Sequence, residues 1–184
     1  MERARALVRR LRSELPEASW TKPESWHVTI HFLGEISEAE SRRFATLIRR
    51  PAEAVLEGDL VAAGAVVFPP RGAARVLGAD FEPTAFTESL GQLAAAAVRL
   101  SADIHNPKPA TQNHFHPHVT FARIRRPWSP AAAERYCQAV GEWRAPAWRA
   151  RSCVLYRSRL DPGGAVHTPM ETWSFSPAPA GVTA

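Results

Sequence analysis

The tripeptide His-Val-Thr occurs twice in this chain, in "SWHVTIHFLGE" and in "FHPHVTFARIRRP", each time within a run of strand-forming residues. Alternation in the first copy puts Val28, Ile30 and Phe32 on one face and His27, Thr29 and His31 on the other. The segments after the two copies also match. The distance from His27 to Ser37 is ten residues and from His118 to Ser129 eleven. Both serines read as helix N-caps, the first in a capping box with Glu40 and the second with Pro130 at the first helical position. A strand comes after each helix, near Leu60 and near Trp148. Strand with His-Val-Thr, turn, Ser-capped helix, strand: stated twice, this order implies an internally duplicated architecture.

The remaining elements fit an α+β chain. Leu7, Val8, Leu11 and Leu15 fall on one face of a helix spanning Glu2 to Leu15. "LVAAGAVVF" and "ARVLGADF" are strands parted by a Pro-Pro-Arg-Gly turn. Thr84 caps an Ala-rich helix to Leu100, and "SADIHNPKPATQNHFHP" reads as an irregular loop. "WRARSCVLYRSRL" and "AVHTPMETWSF" form a hairpin about Asp-Pro-Gly-Gly. Residues 1–176 are expected to be a single bilobal domain, its halves lying roughly at 1–80 and 81–176 with elements free to interleave. Residues 177–184 are expected to be a flexible tail.

Bulk properties exclude several classes. In 184 residues there is no apolar run of membrane-spanning length, and the Arg-rich opening lacks the apolar core of a secretion signal. Cys137 and Cys153 have no metal-type spacing, so a reduced, cytoplasmic setting is expected. The formal net charge of +5 permits a polyanionic partner. Its near-total reliance on Arg, with Lys22 and Lys108 the only lysines, equally suits a GC-rich coding sequence.

On a strand, an imidazole at i and a hydroxyl at i+2 share a face about 6.5–7 Å apart, within reach of different atoms of one small anion. Two such pairs can surround a phosphate with two histidines and two hydroxyls. Histidine titrates near neutrality, so one ring can accept a proton while the other donates one. That is sufficient for acid–base cleavage of a phosphodiester.

The residues "HVTIHFLGE" and "FHPHVTFAR" resemble the paired signatures of the 2H phosphoesterase superfamily. The similarity is greatest to the RNA 2′,3′-cyclic phosphodiesterases, formerly called 2′-5′ RNA ligases. "KPESWHVTIHFLGEIS", "FPPRGAARVLGAD" and "VLYRSRLDPGGAVHT" extend it, in family order, over most of the chain. The resemblance implies a bilobal α+β fold of two pseudo-symmetric sheet-and-helix lobes around a cleft. It implies His27 as proton donor, His118 as proton acceptor, and Thr29, Thr120 and Arg123 as phosphate contacts. It implies neither metal nor cofactor, and substrates that are RNA 2′,3′-cyclic phosphate termini or short nucleotides, opened to 2′-phosphomonoesters by a monomer. A 2′-5′ oligonucleotide, another cyclic phosphate, or non-catalytic RNA binding are the alternatives.

Three features stand apart from that pattern. The family's opening strand of the type "RLFVAI" does not precede the first helix in this sequence: either the start is set too far downstream or the sheet lacks that strand, which would leave a sheet edge or apolar face uncovered. His167 occupies a position in the last hairpin where the family often has an aromatic residue. Arg123 shares strand parity with Val119 and Phe121, opposite His118 and Thr120, so it reaches a phosphate only if the strand bulges or ends before it.

Other groups are candidates for smaller roles. His114, His116 and His118 alternate and could in principle chelate a metal, though Pro117 breaks the ladder and no acidic or Cys ligand is close in sequence. His31 is either a substrate contact or a solvated polar position, and His105 is expected on a loop surface. Trp20, Trp26, Phe115 and Trp128 could stack a base or pack a core. Arg125 and Arg126 could touch RNA backbone or be solvated.

Overall fold

The computed structural model describes residues 2–15, 18–105, 115–141, 143–144, 147–161 and 164–178. The chain divides into two compact units, each assembled from three separate stretches. The first takes residues 1–29, 59–87 and 116–148, and the second takes 30–58, 88–115 and 149–184. Each unit therefore draws on both halves of the sequence, and both His-Val-Thr segments belong to the first.

In the first unit, helix α1 (Glu2–Glu14) buries Leu7, Val8 and Leu11 as its periodicity requires. The sheet has the order β1-β5-β4-β3, all antiparallel, from β1 (Ser19–Trp20), β3 (Ala62–Phe68), β4 (Ala74–Phe81) and β5 (His118–Trp128). Its apolar side carries Leu77, Ala79, Val119, Phe121 and Ala122, each 1% exposed or less. Helix α4 (Pro130–Val140) begins on the Ser129 side chain, which accepts from Ala132 N–H. Its fully buried Tyr136 donates its hydroxyl proton to the Gly78 carbonyl at 2.7 Å, tying helix to sheet.

In the second unit, helix α2 (Glu38–Glu53) has the expected capping box. Ser37 Oγ accepts from Glu40 N–H, and the Glu40 carboxylate accepts from Ser37 N–H. Helix α3 (Ala85–His105) starts in the first unit, where Thr84 and Thr87 bond each other's backbone N–H, and continues into the second. It outruns the expected end at Leu100 because Ser101 sits inside it and returns its hydroxyl proton to the Val98 carbonyl. Residues 106–114, the rest of the expected loop, lie outside the described residues, as does the tail from 179. Strands β7 (Ser152–Asp161) and β8 (Gly164–Ser174) form the anticipated hairpin. Arg49 of α2 pairs with Glu171 of β8. Two short strands, β2 (Gly58–Leu60) and β6 (Trp148–Ala150), pair with one another.

The expected strand from Trp26 to Gly34 is largely not a strand. Among the described residues it touches the sheet through one antiparallel bridge, Val28 to Val119, with no ladder continuing beyond it. Without a partner strand nothing enforces alternation, and Phe32, expected on the apolar face with Val28, is 75% exposed. His31 instead bonds Ser101 through Nε2 at 2.9 Å, and burial pulls its pKa below the ordinary histidine value.

Candidate active site

The pairing of β5 with β4 settles the parity of Arg123. Asp80 lies opposite His118, Gly78 opposite Thr120, Leu77 opposite Ala122 and Val76 opposite Arg123. Between the second and third of these pairs β4 advances one residue and β5 two, so Phe121 is an extra residue in the ladder: a β-bulge. Val76, Gly78 and Asp80 alternate regularly and share one face, so their partners Arg123, Thr120 and His118 share it too. Val119, Phe121 and Ala122 are buried on the other face. The bulge that phosphate contact by Arg123 requires is present.

Glycine at position 78 is part of this construction. A Cβ there would stand 2.3 Å from the Val119 carbonyl oxygen and 3.4 Å from Val66 Cγ1. Any side chain would force the two strands apart at the bulge.

The first His-Val-Thr joins the same face. Val28 pairs antiparallel with Val119, and carrying that register one residue each way sets His27 opposite Thr120 and Thr29 opposite His118. Two residues back, the same register sets Trp26 opposite Phe121. Those rings do meet, centroids 5.0 Å apart. If the segment alternates on either side of the bridge, His27 and Thr29 would turn to the side of His118 and Thr120. Cross-strand Cβ atoms in such pairs lie about 4.5–5.5 Å apart and diagonal neighbours about 7–8 Å. In that register the two histidines would lie on one diagonal and the two threonines on the other.

Both rings are held in the same way. His27 Nδ1 bonds the Ser25 carbonyl and His118 Nδ1 bonds the His116 carbonyl, each at 2.8 Å and each two residues upstream. A carbonyl only accepts, so Nδ1 carries the proton in both, and Nε2 is the atom through which each ring exchanges a proton. Burial lowers the pKa of His118, and the electrostatic effects of His116 and then Arg123 add to this. The His116 carbonyl bond and Asp80 act in the opposite sense. The net result favours a neutral ring at neutral pH.

Three neighbours of the face escaped the sequence reading. The Phe68 ring lies 4.6 Å from that of His118 and 5.7 Å from that of His116. Asp80 accepts a hydrogen bond from His116 Nε2 at 3.0 Å. Gly78 allows the close approach of β5. Only strand parity could have pointed to the last two, since "VLGADF" puts Gly78 and Asp80 on one face without saying what they meet.

Other candidates take ordinary packing roles. Trp20 donates its indole N–H to the Leu15 carbonyl, Trp128 is buried, and Phe115 packs against Gly91. Trp26, His27, Val28, Leu60, Val119 and Trp148 line a cavity of about 170 Å³. Arg125 and Arg126 are exposed, and His167 bonds Ser158 at 2.5 Å. Of the possible chelating trio, His114 lies outside the described residues and the side chains of His116 and His118 take the bonds given above. Among the described residues no cluster of His, Cys, Asp or Glu could hold a metal, Cys137 and Cys153 are free thiols, and no helix is long and apolar enough to cross a membrane.

Comparison with known proteins points in one direction. The family described as "LigT like Phosphoesterase" matches residues 1–77 and 83–167. The RNA 2′,3′-cyclic phosphodiesterase of Thermus thermophilus is 30% identical over 92% of this chain and 83% of its own length. That of Methanothermobacter thermautotrophicus is 25% identical, over 89% and 85% respectively. The crystal structure of TT0787 from Thermus thermophilus superposes with a TM-score of 0.73 at 25% identity, covering 95% of this chain and 92% of that one. Apo LigT of E. coli, at 21% identity and a TM-score of 0.66, shares the fold.

Proposed function

This chain belongs to the LigT-like phosphoesterase family, a family of hydrolytic enzymes, and on that premise we propose that it opens 2′,3′-cyclic phosphate ends of RNA or of short nucleotides to 2′-phosphomonoesters, using two histidines and no metal. What supports this reading is the Val28–Val119 bridge together with the extra residue at Phe121 in β5, a register that would bring His27, Thr29, His118, Thr120 and Arg123 to one sheet face.

The chemistry follows from what each group can donate or accept. The cyclic phosphodiester sits with its non-bridging oxygens toward the Thr29 and Thr120 hydroxyls, which donate to them. Arg123 forks onto the same oxygens and offsets the charge that grows there as phosphorus becomes five-coordinate. His118, kept neutral chiefly by burial, takes a proton at Nε2 from the attacking water. The new P–O bond forms as the P–O3′ bond breaks. His27 delivers its Nε2 proton to the departing O3′, leaving a 3′ hydroxyl and a 2′ phosphate. One proton enters and one leaves, so the pair returns to its starting state after a proton exchange with solvent.

The test is hydrolysis of adenosine 2′,3′-cyclic phosphate by the purified chain in EDTA, with products separated by chromatography. The 2′ monophosphate is expected, with loss of at least about 10²-fold in kcat for His27→Ala or His118→Ala. A 3′ monophosphate product, turnover only after metal is added, or turnover unaffected by both substitutions overturns the proposal. A parallel 2′-5′ linked dinucleotide separates the cyclic substrate from its nearest alternative.

A further inference from the structure

We propose that Asp80 and His116 form a positioning pair for His118, fixing its ring through the His116 carbonyl and setting a carboxylate beside it on the same sheet face.

The geometry is a short relay with both ends anchored. Asp80 Oδ1 accepts from the backbone N–H of Phe81 at 2.7 Å, which fixes the carboxylate on β4. The same oxygen accepts from His116 Nε2 at 3.0 Å. His116 is thereby tied by its side chain to the neighbouring strand, although it precedes β5 and forms no ladder pair of its own. Its carbonyl then accepts from His118 Nδ1 at 2.8 Å. The ring of Phe68, on β3, packs against both imidazoles and limits their rotation. Without the Asp80 bond, the His116 side chain would keep the Phe68 ring contact but lose its hydrogen bond to β4. The carbonyl that sets the tautomer of His118 would then be free to turn.

The carboxylate also matters electrostatically. Asp80 is the direct ladder partner of His118, so the two side chains leave the sheet side by side. The groups facing His118 are His116 just ahead of its strand, Arg123 on that strand, Asp80 on β4, and, by register, Thr29 and His27 on the adjoining segment. β3 contributes Phe68, which carries no charge. Asp80 is the only anion among these described groups. It opposes the joint effect of burial, the His116 imidazole and the Arg123 cation, helping to keep the ring basic enough to accept a proton from water.

This inference rests on the reading of His118 as the proton acceptor, and the experiment keeps the two separable. The His118 ring titration is followed by NMR in histidine-labelled full-length protein, wild type and Asp80→Asn. The asparagine keeps an oxygen that can accept from His116 and removes only the charge. The midpoint is expected to fall by about half a unit to one unit. Alongside, His116→Ala should reduce kcat on a nucleoside 2′,3′-cyclic phosphate about tenfold with KM changed less than twofold, and His116→Gln, which retains an N–H donor, should restore most of it. A midpoint unmoved in Asp80→Asn overturns the inference, as does equal loss in the alanine and glutamine variants. If the wild-type protein shows no turnover and the midpoint still falls, the pair stands and the proposed reaction does not.

Discussion

Arg123 lies three residues beyond Thr120 yet on the same face of the sheet, because Phe121 adds one residue to β5 against an unbroken β4. An odd spacing would place the two side chains on opposite faces in a regular strand. Only through that bulge could the guanidinium reach the proposed phosphate site. Arg123→Ala is expected to lower kcat/KM for a cyclic nucleotide by about 10- to 100-fold, the worth of a charged hydrogen bond of about 1.5–3 kcal/mol. Arg123→Lys keeps the charge without the fork and should recover part of it. Steady-state kinetics at fixed pH decide this.

Gly78→Ala tests whether the bulge is built into the sheet. The added methyl would meet a backbone carbonyl, which cannot swing aside as a side chain can. A loss of more than about 2 kcal/mol in urea unfolding is expected. The companion substitution Tyr136→Phe leaves the Gly78 carbonyl buried without its donor and should cost about 1–3 kcal/mol. A neutral result at both positions contradicts the described packing.

The pH dependence of stability has a definite sign. His31 and His118 both have pKa values lowered by burial, so the folded protein binds fewer protons at these sites than the unfolded chain. Their contribution is full above the unfolded value of about 6.5 and is lost as pH falls below it toward the folded values. Urea midpoints between pH 7.5 and 5 should therefore decline on acidification. His31→Gln, which can still bond Ser101, should flatten that decline.

The helix caps offer the plainest check of local structure. Ser37→Ala removes an oxygen that accepts from Glu40 N–H and half of a reciprocal pair, and Ser129→Ala removes the acceptor for Ala132 N–H. Each should cost about 1 kcal/mol, measured by thermal or urea unfolding.

These caps were also the most legible part of the sequence, and the reason is physical. A capping box is satisfied within four residues, so Ser37 and Glu40 specify it without help from the rest of the chain. The repeated order of strand, cap and helix after each His-Val-Thr in the same way pointed to His27 and His118. Parity made a bulge before Arg123 necessary, but its placement at Phe121 depends on β4, which supplies the register and the glycine that admits it. The stretch from Ile30 to Leu33 misled for the converse reason. It alternates like a strand, but a strand exists only where a neighbour accepts its hydrogen bonds, and past Val28 there is none among the described residues. β1, two residues long, has no periodicity to read. The bond from His116 to Asp80 joins residues 36 apart and appears only once β4 and β5 are paired.

The division of labour between the two imidazoles is tested most directly by the pH dependence of kcat/KM for a nucleoside 2′,3′-cyclic phosphate, in the wild type and in His27→Ala and His118→Ala measured at high enzyme concentration. The wild type should give a bell. Its acidic limb should vanish from the residual activity of His118→Ala, and its alkaline limb from that of His27→Ala. Two limbs that persist unchanged in both variants would mean that neither ring carries the proton assigned to it.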